Sequence, residues 1–205
     1  MNKLIPVFIL TGIVISVLVF TYVETGVSTS KPIYDTGFTY YDIEIIQNIL
    51  SQQNISVSAP TAITDSTITQ YCLFFDSGKS KTVDYCTTTA ISDSNGNPLG
   101  NINIGGDTVS PVMAIANLET STLESNHDDV IAVFEAVIET LVCDCWDKSG
   151  KYKSISAWIN AAHDFYIDSG NRNVKSKIDN LGDAKISLEI TSNDDSVLQT
   201  LIILK

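Results

Sequence analysis

Apolar positions divide this chain into one unbroken run near its start and a series of periodic segments after it. Residues Leu4 to Val23 hold no charged side chain. At about 1.5 Å per helical residue such a run spans about 30 Å, the thickness of a bilayer's hydrocarbon core. It is longer than the roughly 7–15 apolar residues of a cleavable signal, and Tyr22, Val23 and Glu24 stand where small residues would mark a cleavage site. The run therefore predicts an uncleaved transmembrane anchor. Lys3 lies before it and Glu24 after it, which holds residues 1–3 in the cytoplasm and carries the rest of the chain across. Residues 24–38 are polar, contain Pro32 and read as a tether. Residues 39–205 then form one extracytoplasmic domain.

Inside that domain the spacing of apolar residues alternates between helix and strand. Thr39 with Asp42 resembles a capping box, and Ile43, Ile46, Ile49 and Leu50 make one helical stripe ending near Asn54. Residues 55–69 leave an edge strand or a loop open. Residues 70–75 and 81–91 have strand composition and flank a turn-rich DSGKS segment, which predicts a hairpin. A turn at Asp93–Pro98 leads into a third strand, LGNINI. Ser110 before Pro111 predicts the start of a short helix through Leu118. Ser125 with Asp128 predicts the cap of a helix over residues 126–143, apolar nearly all round. After a turn at Asp147–Gly150, Ser154 opens another helix, with Trp158, Ala161, Ala162, Phe165 and Tyr166 facing inward and Gly170 as its stop. AKISLEIT and SVLQTLIIL form a closing hairpin. The order is α, β-β-β, α-α-α, β-β, an α+β domain in which helices pack on an antiparallel sheet.

Composition narrows the function classes. The chain has 24 Asp and Glu, all beyond Val23, against 12 Lys and Arg, for a net charge of −12. Such a surface repels nucleic-acid phosphates and anionic lipid headgroups. Arg172 is the only arginine, so the bidentate clamps that usually hold phosphates are missing. Nucleic acid is excluded as a partner, which leaves the membrane through the N-terminal helix and a protein or small ligand at the domain.

The chemistry-bearing residues are few. Cys72 and Cys86 fall in the two arms of the expected hairpin and predict a cross-strand disulfide, with bridges from the hairpin to Cys143 or Cys145 as the alternative pairings. Outside the cell the redox conditions permit either. Cys143-Asp144-Cys145 places two thiols one residue apart, a pattern that could chelate a soft metal or cycle through a disulfide, with His163 as a further ligand. It lacks the two-residue spacing of thiol-exchange motifs and the second ligand pair of a structural zinc site. His127 and His163 have no partner at metal-ligand spacing. Glu135 and Glu139 share a helix face, as paired acid and base groups would, and also supply the solvated stripe that such a helix needs. Asp93-Ser-Asn-Gly-Asn97 resembles the opening of a calcium loop, but Ile104 stands where the bidentate Glu belongs, so a β-turn is expected. Asn54-Ile-Ser56 is a glycosylation sequon in that compartment.

No catalytic or cofactor motif emerges from these residues. The sequence predicts a membrane-anchored, non-enzymatic surface module that binds a partner or ligand. The competing expectation is an extracytoplasmic redox or metal-handling protein that uses Cys143 and Cys145.

Overall fold

A computed structural model describes residues 37–205, apart from 65, 77–78, 144–145, 147–150 and 194. The anchor and most of the tether lie outside the described residues, as do Cys145 and the turn after it. Among the described residues no helix is long and apolar enough to cross a membrane.

Helix α1, Asp42–Ser51, buries Ile43, Ile46 and Leu50 on one face. Its start uses half of a capping box: the Thr39 N–H donates to Oδ2 of Asp42 at 2.5 Å. Two short strands follow, β1 (Ser56–Val57) and β2 (Thr61–Ala62), then the single turn α2 (Ile68–Tyr71). Strands β3 (Leu73–Asp76) and β4 (Lys79–Thr82) pair only with each other. Next come β5 (Tyr85–Ser92), β6 (Pro98–Gly106) and β7 (Pro111–Thr120), helices α3 (His127–Leu141) and α4 (Ile155–Asp168), and strands β8 (Val174–Leu181), β9 (Ala184–Ser192) and β10 (Val197–Leu204). The main sheet is antiparallel with the order β1-β5-β6-β7-β10-β9-β8, and β2 also pairs with β5. The α+β class stands, with helices on an antiparallel sheet.

Three helices cover one face of this sheet, and α3 packs against both α1 and α4. The near-continuous apolar surface of α3 follows from that position: Val130, Val133, Phe134, Val137, Ile138 and Leu141 are all buried. Ser154 caps α4 by accepting the Ala157 N–H at 3.0 Å, and Gly170 ends it at φ 74°. Trp158 is fully buried, and its indole N–H donates to Oγ of Ser176 on β8 at 2.8 Å.

Several expected elements are corrected. Residues 111–118 form strand β7, not a helix. Asp107 accepts the N–H groups of Val109 and Ser110 at 2.7 and 2.6 Å, so Ser110 belongs to the turn between β6 and β7. Pro111 takes the first position of a strand, where its missing N–H does no harm. Met113 to Ala116 are buried on both faces, which erases the alternation by which a strand is recognised. Strand β8 was not expected, because only Val174 and Ile178 mark its inward face before Leu181.

The expected hairpin of 70–75 with 81–91 is split as well. Val83 buries and the Asp84 N–H bonds to the carbonyl of Gly106, so the second arm bends; β4 returns to β3 and β5 joins the main sheet. Helix α3 takes Asn126, in a left-handed conformation, as its N-cap, while Ser125 bonds to Thr122. Trp158, Ala162 and Tyr166 face inward as expected, joined by Ile155, Ile159 and His163, whereas Phe165 is 63% exposed.

Candidate functional site

The expected disulfide is present although its secondary structure differs. Cys72 ends α2 and Cys86 lies on β5, with Cα atoms 6.2 Å apart, and both are fully buried. Around the bridge, Ile68, Val83, Met113 and Ile115 form a second small core on the face of the sheet away from the helices. Gly105 lies beneath it because a Cβ there would come within 3.0 Å of Cys72 Sγ. The disulfide therefore fastens the α2–β3–β4 flap to the open face of the sheet.

The other sequence candidates are dispersed. Cys143 is disulfide-bonded and is no free thiol, while Cys145 lies outside the described residues. Among the described residues no group of three or more His, Cys, Asp or Glu side chains could hold a metal ion. His163 is buried between α4 and the sheet, with Nε2 at 2.7 Å from Oε1 of Gln199 on β10 and its ring 5.2 Å from that of His127. Its Nδ1 has no partner among the described residues. Burial pushes the His163 pKa below the usual imidazole value, outweighing the hydrogen bond to Gln199. Burial therefore favours the neutral ring.

Glu135 accepts the Ser156 N–H at 3.2 Å and so serves the first turn of α4; Glu139, one helical turn on, is exposed. The Asp93 segment is the turn between β5 and β6. Burial raises the Asp93 pKa, but hydrogen bonds from Asn97, Asn95 and Asn126 outweigh it and hold the carboxyl below its usual range. Ser94 donates to Asp129, which ties this turn to α3. Asn54 is exposed at φ 62°, in the turn after α1.

A different feature brings side chains together into a concave site. Strands β10, β9 and β8 present their outward residues to solvent beside the flap, and together with Ile115 of β7, which is buried at the flap's edge, they form a groove of about 430 Å³. That volume lies in the range of small-molecule sites, roughly 300–1,000 Å³. Tyr71, Leu73 and Phe74 of the flap make one wall, and Ile115, Ile202 and Leu204 make the floor.

Strand register places polar groups in rows across this floor. Asn101, Asn117, Thr200, Glu189 and Lys175 are successive neighbours on β6, β7, β10, β9 and β8. Asn117 donates to Asn101 at 3.4 Å, Thr200 donates to Asn117 at 3.0 Å, and Lys175 pairs with Glu189. The adjacent row runs Ile115, Ile202, Ser187, Lys177, and the next runs Met113, Leu204, Lys185. The apolar floor is thus bounded by a hydrogen-bonded polar row on one side and by Lys177 and Lys185 at its far end. Neither lysine makes an ion pair with a described residue.

Sequence inspection missed this groove. Its parts lie on four strands and a flap, two of which were not recognised; the only local signal is the lysine spacing at 175, 177 and 185. No protein-family model matches the chain, and no curated protein or solved structure is similar to it.

Proposed function

We propose that residues 4–23 anchor this chain in a membrane and that the domain outside the cytoplasm is a non-enzymatic module binding its ligand in the groove. The observation that carries the reading is the groove itself. An apolar floor, a disulfide-held wall and a few placed polar groups suit binding; among the described residues no lining hydroxyl is hydrogen-bonded to a basic side chain there, and no group of side chains could hold a metal ion. The buried Cys72–Cys86 bridge supports an oxidising compartment, and exposed Asn54 is an acceptor that such a compartment could glycosylate.

Two measurements test this reading. Protease added to intact cells should remove the domain, and a chain protected until lysis overturns the placement. A fragment screen by ligand-detected NMR should give hits lost in Ile202→Asp and kept in Phe165→Asp, which lies on exposed helix surface. Hits insensitive to Ile202→Asp, or an absence of hits, overturn the groove as the site.

A further inference from the structure

We propose that the groove selects a single-chain amphipathic anion, its apolar body lying on Ile115, Ile202 and Leu204 and its anionic head group on Lys177 and Lys185. This rests on the reading that the groove is the ligand site and adds the ligand's chemistry. Charge complementarity carries the inference. The chain is at −12 overall, yet three lysines and two acids line the groove, and Lys175 is already held by Glu189. Lys177 and Lys185 project from β8 and β9 on the same face, and the Lys177 position lies two strands from Ile202 and three from Ile115.

With neighbouring strands about 4.8 Å apart, the head group sits about 10 Å from an apolar body centred on Ile202. Tyr71 and Phe74 cover that body from the flap side. A purely apolar ligand would leave the lysine end unused, and a small inorganic anion would leave the apolar floor wet. Lysine is a compact point charge without a fork. It therefore accepts carboxylate, sulfate or phosphate heads without demanding one planar geometry.

The test uses the full chain in nanodiscs of zwitterionic lipid, with empty discs as the reference. Dansyl-undecanoate, a carboxylate with an apolar chain, is titrated by fluorescence beside its neutral methyl ester. The acid should bind saturably and weaken roughly tenfold or more in a Lys177→Glu, Lys185→Glu variant, because two exposed attractions become repulsions. Lys151→Glu with Lys153→Glu alters the net charge equally outside the groove and should leave binding within about twofold. Phe74→Ala should weaken acid and ester alike. Raising salt should weaken the acid only.

Equal affinity for acid and ester, or equal effects of the two lysine pairs, overturns the anionic head while leaving a ligand groove in place. If neither probe binds saturably the proposal falls, and if the fragment screen also gives no groove-dependent hit the groove itself fails as a site. Binding of anionic vesicles or a polyglutamate peptide that depends on Lys177 and Lys185, without binding of the free acid, overturns the proposal in favour of a macromolecular partner.

Discussion

The Cys72–Cys86 bridge offers the most direct test of how this fold is held together. It closes a segment with a sequence separation of 14. In the chain-entropy picture a loop of that length restricts the unfolded chain by about 3 kcal/mol. For a domain of this size each kcal/mol moves the melting temperature by about 2–4 °C, so loss of this bridge alone should lower it by about 6–12 °C. Cys72→Ala with Cys86→Ala should cost somewhat more, since it also removes two buried sulfur atoms from the small core around Met113 and Ile115.

The loss should also be local before it is global. The bridge joins α2 to β5, and β3 and β4 pair with no other strand, so the flap has little else to keep it on the sheet. Hydrogen exchange measured by mass spectrometry should quicken first in peptides covering residues 68–83, with β9 and β10 unchanged. The unreduced protein should carry no titratable thiol among its described cysteines. If mass spectrometry shows Cys72 and Cys86 fully reduced while melting temperature and flap exchange stay as they were, the bridge constrains nothing and the reasoning fails.

Two further outcomes follow from single residues. Burial lowers the His163 pKa in the folded state, so the unfolded chain takes up its proton first. The His163 contribution to stability is then complete above about pH 6.5 and declines as pH falls through that value, and urea midpoints between pH 8 and 5 should show a drop that His163→Met flattens. Gly100→Ala would place a Cβ 1.9 Å from the Asn117 carbonyl oxygen, and the backbones of β6 and β7 cannot part without breaking their ladder. Circular dichroism should show loss of the cooperative melt or a destabilisation of at least about 3 kcal/mol; a melt like the parent's would show that the two strands are not so closely apposed.

Helices α1, α3 and α4 and strands β9 and β10 were legible in the chain because each has a single environment along its length, whereas β6, buried on both faces from Ile102 to Gly106, was legible from the Asp93 turn before it. Apolar stripes at helical spacing, or alternation at strand spacing, report burial on one face, and Ser154, Gly170 and the Asp93 turn punctuate them. The cysteine pairing was legible for a related reason: Cys72 and Cys86 are close in sequence, so many local conformations bring them together. The hairpin first expected around them was wrong, yet the bridge survives the change from strand to α2. Charge was legible only as an average, and the average conceals the lysines gathered on β8 and β9.

Residues 111–118, β8, the His163–Gln199 pair and the groove were decided by contacts between segments far apart in the chain. Met113 and Ile115 are apolar because the flap covers the face that would otherwise be polar, so β7 carries no alternation to read. Strand β8 joins the sheet because β9 offers it an edge and Trp158 offers Ser176 a hydrogen bond, neither of which is encoded in VKSKIDNL. By itself the sequence determined where helices and strands could bury one face, and with them the α+β class. Tertiary structure decided which face was covered twice, which edge took a further strand, and which side chains met across the open sheet, because those energies belong to pairs of residues from distant segments and leave no periodic trace in either one.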